Sequence, residues 1–90
     1  MGPVAERLRD KLQQSFDPER LEVTDDSARH AGHSGARPEG ETHFTVLVVS
    51  PAFSGVSRVE RQRQVYGVLA EELAGPVHAL SVKALAPGEG

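Results

Sequence analysis

Thr42-His43-Phe44-Thr45-Val46-Leu47-Val48-Val49-Ser50 is the stretch on which the fold turns. It is rich in β-branched residues, and a strand alternates its side chains between two faces. Phe44, Val46 and Val48 fall on one face, and Thr45, Leu47 and Val49 on the other. Both faces carry apolar groups, so the spacing predicts a central strand with neighbours on each side. His43 opens it and reads as a hydrogen-bonded structural histidine.

Toward the C-terminus, Pro51 to Gly55 is a turn segment, and Ser57-Arg58-Val59-Glu60 fits a capping box, with a serine oxygen on the third amide and a glutamate reaching back. The helix that it opens is expected to run to about Leu73, with Val59, Tyr66, Leu69, Ala70 and Leu73 as its buried stripe, and Gly75-Pro76 ends it. Val77 to Leu85 reads as a last strand, with His78, Leu80 and Val82 on one face. Ala86 to Gly90 is a short polar tail.

Toward the N-terminus, Ser27 to Glu41 contains Gly32, Gly35, Gly40 and Pro38 and no large apolar residue. It reads as a long loop, and loops of this length in small domains tend to be functional or disordered. Before it, Leu21 to Asp25 alternates apolar and polar as a half-buried strand does. Pro3 to Phe16 is a helix whose Val4, Leu8, Leu12 and Phe16 form one apolar stripe, and Asp17-Pro18 stops it. The order is helix, strand, long loop, strand, turn, helix, strand. A three-stranded sheet with both helices on one face buries these stripes most simply, giving an α+β domain over residues 1–86 with residues 87–90 as tail.

Composition narrows the chemistry. Ninety residues with 38% hydrophobic content fill one modest core, and no apolar run approaches the ~20 residues that span a bilayer. Glu6 and Arg7 stand where a signal peptide needs an apolar stretch, so no such peptide is expected and a cytoplasmic setting is. There is no cysteine, which excludes disulfides, thiol nucleophiles and any iron–sulfur cluster held by this chain alone. The formal net charge of −3 argues against general nucleic-acid or membrane binding.

The candidate residues are few. His30 and His33 form His-x-x-His on the loop, where they are either solvated or able to reach one ion. His78 begins the last strand, where a lone histidine on an apolar face is commonly a core residue. Arg58, Arg61 and Arg63 lie in the first turns of the second helix, as a solvated face or as a contact for phosphates or an acidic partner. Three arginines limit any salt slope to about −3. Ser50, Ser54 and Ser57 sit in no nucleophile elbow, and neither a Walker A loop nor a dinucleotide fingerprint is present. Gly32-His33-Ser34-Gly35 matches the GxxG spacing that clamps phosphates in RNA-binding domains, but it lies between strands rather than between helices. Asp25-Asp26 and Glu71-Glu72 are adjacent in sequence and point to different faces. No enzyme is expected.

Several stretches, in order and spacing, carry a resemblance to the BolA family over residues 4–86. They are Leu21 to Ser27 with Ala28-Arg29-His30, Gly40 to Phe44 with Val48-Val49-Ser50, Phe53 to Ser57, Arg61 to Tyr66, Leu69 to Leu73, and Val77-His78-Ala79-Leu80. The resemblance implies a class II KH-like fold and a non-enzymatic adaptor, monomeric alone, that forms a heterodimer with a monothiol glutaredoxin. The two proteins would share a [2Fe–2S] cluster, with thiolates from glutaredoxin and its glutathione and side chains from the loop and last strand here. The loop position of Asp-x-Ser-x-x-His matches His30, and the last-strand position matches His78; His33 is an alternative loop ligand. Some members are linked to transcriptional control, which makes weak DNA binding through Arg58, Arg61 and Arg63 the alternative. The chain departs from the family's Arg-His-Arg, reading Arg61-Gln62-Arg63.

Overall fold

The computed structural model describes residues 2–27 and 41–89. Helix α1 spans Pro3–Phe16, strand β1 Arg20–Asp25, strand β2 His43–Val49, helix α2 Arg58–Val68, helix α3 Ala70–Ala74 and strand β3 Ala79–Leu85, with a 3-10 turn at Pro51–Phe53. The sheet order is β1-β2-β3, with β1 antiparallel and β3 parallel to β2. β2 is central, as its two-sided apolar pattern predicts, and the architecture is α+β.

The register puts Leu21 opposite Val48, Val23 opposite Val46, Phe44 opposite Leu80 and Val46 opposite Val82. These side chains share one face of the sheet, and Val4, Leu8, Leu12 and Phe16 of α1 with Val65 and Leu69 of the second helical segment close over it in one core. α1 ends at Asp17, which adopts the left-handed region (φ 43, ψ 57) ahead of Pro18, while its N–H still bonds Gln13 O. Phe16 meets Phe53 with ring centroids 4.9 Å apart, and Ser50 Oγ donates to Phe16 O, so the turn after β2 is fastened to the end of α1.

Three expectations need correction. The second helix does not run unbroken to Leu73: the chain leaves helical geometry at Leu69 (φ −102, ψ 18) and resumes as α3. Its buried face keeps Leu69, with Leu73 packed against the core as expected, but is otherwise shifted. Val59 and Tyr66 are exposed, whereas Arg61, Val65, Leu69 and Glu72 are buried. Burial there follows partners rather than hydropathy, because each charged member brings its counterion. Lys11 Nζ bonds the Glu71 and Glu72 carboxylates at 3.1 and 2.9 Å, which holds the ammonium pKa above its usual value, through Glu72 first. Finally, the stretch from Ala86 that reads as a short polar tail packs in part against the domain. Ala86 is buried, and Glu89 folds back to accept from Arg61 and from the Ala86 N–H. Of the capping box, the Ser57 half forms, with Oγ accepting from the Glu60 N–H, while the Glu60 carboxylate lies 3.8 Å from Arg63.

Candidate functional site

Because β2 and β3 are parallel, their first residues lie side by side, next to the end of antiparallel β1: Phe44 faces Asp25 on one side, and His43 faces Ala79 on the other. The expected loop of residues 27–41 leaves and re-enters the fold here, and both ends are stapled. Ser27 Oγ accepts from the N–H groups of Thr42 at 2.8 Å and His43 at 3.2 Å. Asp25 accepts from the N–H groups of Ser27 at 2.9 Å and Glu41 at 3.1 Å. Burial pushes the Asp25 pKa up, but the hydrogen bonds from Ser27 and from the Glu41 backbone outweigh it, so the net direction is down. Glu41, at φ 60, turns its carboxylate onto the Ala5 N–H at 3.0 Å, where the positive end of α1 favours a negative charge.

His78 stands beside this junction. Its N–H and that of Ala79 both donate to Thr42 O, at 2.7 and 3.1 Å. Two successive amides on one carbonyl interrupt the strand alternation, so His78 lies before β3 and is exposed instead of sharing the core face with Leu80 and Val82. Its ring lies against that of His43, with centroids 5.3 Å apart and planes inclined by 50°. His43 is buried, as a structural histidine should be, with Nδ1 2.9 Å from Thr42 Oγ1. A cleft lined by Asp26, His43, Thr45, Ala79 and Ser81 opens next to it. His78 is therefore an accessible imidazole on a doubly anchored backbone. Among the described residues no group of three or more His, Asp or Glu side chains forms a metal site. His30 and His33 lie outside the described residues.

The three arginines separate. Arg61 is 4% exposed and donates to Val56 O, Ala84 O and the Glu89 carboxylate, so the solvated three-arginine face is corrected to two members. Its cause is the tail, which supplies the carboxylate that lets the guanidinium be buried. Arg58 and Arg63 remain exposed. Sequence reasoning missed Glu89 altogether and treated His43 as unconnected to His78. The position of His43 at the first residue of the strand paired with the one that His78 precedes was the available signal. Gln62, the departure from Arg-His-Arg, donates through Nε2 to Val82 O at 3.0 Å.

The structure is thus an α+β domain in which an exposed histidine stands beside the bonded pair Ser27 and Thr42. The model of the BolA-like protein family matches residues 12–89, and the chain belongs to that family. BolA-like protein 1 of Pongo abelii is 47% identical over 89 residues, covering 99% of this chain and 62% of that protein. The solved BolA domain of SufE1 from Arabidopsis thaliana superposes with a TM-score of 0.89 at 46% identity, over 100% of this chain and 99% of that one. The DNA-binding transcriptional regulator BolA of Escherichia coli is 43% identical over 79 residues, covering 88% of this chain and 71% of the regulator. The chain spans about 62% of the length of BolA-like protein 1 and 25% of that of the Arabidopsis SufE-like protein 1. No helix among the described residues is long and apolar enough to cross a membrane.

Proposed function

We propose that this chain is a non-enzymatic adaptor that pairs with a monothiol glutaredoxin and supplies imidazole ligands to a shared [2Fe–2S] cluster, in iron–sulfur trafficking or iron and redox regulation. The observation that carries the reading is the exposed imidazole of His78, its backbone tied twice to Thr42 O, beside the anchored base of a histidine-bearing loop. The donor set suits the cargo. Two imidazoles on one iron, opposite two thiolates, is a [2Fe–2S] arrangement with a raised potential. A chain without cysteine can form only the imidazole half, so glutaredoxin and glutathione bring the sulfur.

His30 is favoured over His33 by tether length. Ser27 and His78 both bond to Thr42. With about 3.8 Å between successive Cα atoms, His30 stays within about 11 Å of Ser27, whereas His33 can range about twice as far. Ordering loop residues costs on the order of 1–2 kcal/mol each, so the shorter tether loses less on binding.

Anaerobic reconstitution with a monothiol glutaredoxin and glutathione tests the reading, followed by visible absorption and circular dichroism. The heterodimer is expected to give a cluster spectrum distinct from that of glutaredoxin alone. His78→Ala abolishes it, His30→Ala weakens it with partial rescue by His33, and His30→Ala with His33→Ala matches His78→Ala. Unchanged spectra in His78→Ala overturn the proposal. Imidazole binds iron only when neutral, so the signal should fade as pH falls through the histidine range near ~6.5.

The name of the Escherichia coli relative supports a second reading, a small DNA-binding regulator. With Arg61 buried against Glu89, Arg58 and Arg63 are the members of the trio left for phosphate contact, and the salt slope should be no steeper than about −2. Reversing the charge of Arg58 and Arg63 then abolishes DNA retention and leaves cluster-loaded heterodimer intact. Sequence-specific binding at physiological salt by the protein alone would put this reading first.

A further inference from the structure

We infer that His43 is a positioning residue for the ligand imidazole, holding the His78 ring in one orientation and tying that orientation to the base of the loop; the inference rests on the cluster-sharing reading. Two separate contacts run from the Thr42-His43 pair to His78. The Thr42 carbonyl takes the amides of His78 and Ala79, which fixes where the His78 backbone stands. The His43 ring, buried and 2.9 Å from Thr42 Oγ1 through Nδ1, forms the wall against which the His78 ring rests at 5.3 Å.

His78 is exposed and has lost the strand alternation, so core packing does not choose its rotamer. The His43 ring is the neighbour that the described residues place against it. His43 is itself held from the loop side, because its N–H and that of Thr42 converge on Ser27 Oγ. A continuous path therefore leads from Ser27, three residues before His30, through Thr42 and His43 to His78.

The expected size follows from rotamer counting. An unsupported imidazole samples about three χ1 wells and about two χ2 orientations, so selecting one arrangement favours binding by at most about sixfold. His43→Ala should therefore weaken assembly of the cluster-loaded heterodimer by about three- to sixfold, while the spectrum of the complex that does form remains of the imidazole–thiolate type.

The experiment has two arms on the full chain. In the first, χ1-dependent NMR couplings of His78 are measured in the isolated protein, with no cluster present. They are expected to show one dominant rotamer in the wild type, averaging in His43→Ala, and near-wild-type behaviour in His43→Phe, which restores a ring wall without ligand nitrogen. In the second, cluster-loaded assembly is titrated for the same variants, with His43→Phe recovering most of the loss. If His43→Ala fails to fold, the inference stands or falls on His43→Gln, which keeps a polar group but removes the ring and should behave as His43→Ala is expected to. Unchanged His78 couplings in the variants without a ring overturn the inference. So does loss of the imidazole–thiolate spectrum in His43→Phe with His78 still in one rotamer, which would make His43 a ligand. If the wild type forms no cluster with any monothiol glutaredoxin, the functional reading fails, while the NMR arm still reports whether His43 orients His78.

Discussion

Arg61 has almost no surface exposed, and each nitrogen of its guanidinium donates to an acceptor among Val56 O, Ala84 O and the carboxylate of Glu89. A buried cation is tolerated only when paired and hydrogen-bonded, and here the pairing is bidentate. The Arg61 hydrogen bond, then the Ala86 N–H, draw the Glu89 pKa down from 4.5 to about 2. A depressed folded-state pKa stabilises the fold fully above the unfolded value and loses that contribution as pH falls through the folded one. The contribution of Glu89 should thus be complete above about pH 4.5 and gone below about pH 2. Glu89→Gln should lower the thermal midpoint at neutral pH and flatten its decline across that acid window, as a set of melting curves would show. An identical acid limb in both proteins would mean that the pair contributes nothing. None of this was legible in the sequence. A glutamate one residue from the end of a Pro-Gly tail carries no local pattern, and an arginine on a helix reads as solvated until its distant partner is seen.

The elements themselves were more readable. The i, i+4 stripe of α1 and the alternation of β2 rest on local geometry, and both ended in the core as the spacing required. Leu12, fully buried at the centre of the α1 stripe, should cost about 2–5 kcal/mol on truncation to alanine, measurable by urea unfolding. The second helix defeated the same method. Its inner face is set by β3, whose outward carbonyls at Leu80, Val82 and Ala84 accept from Tyr66, Gln62 and Arg61. An edge strand with unpaired carbonyls invites another strand, and these polar side chains occupy it instead. Hydropathy scores Gln62 and Arg61 as outward-facing, and of the stripe drawn through Val59 and Tyr66 both of these side chains are exposed. Tyr66→Phe removes one of these bonds and should cost about 0.5–1.5 kcal/mol in the same unfolding assay, toward the lower end because water reaches the site. A change above that range would mean that the hydroxyl supports more of the strand than one carbonyl.

At the scale of the whole molecule, one parallel strand pair decides where function can lie. It sets the starts of β2 and β3 together, beside Ser27 and Thr42, and so brings His78 to that junction across a large sequence separation. His78 became a candidate through the family resemblance, whereas its place at the start of the last strand read as that of a core histidine. It could not show that His78 faces solvent, because the doubled bond to Thr42 O breaks the alternation from which its face was inferred. The proposed function requires that this imidazole bind iron in a cluster shared with a thiolate-bearing partner. The direct measurement is pulsed electron paramagnetic resonance on the reduced heterodimer, with this chain alone carrying 15N-labelled histidine. Strong 15N couplings from two imidazoles are expected, one of which disappears in His78→Ala whatever cluster remains. A reduced cluster in the wild-type complex without imidazole 15N couplings, or with couplings unchanged in His78→Ala, would contradict it.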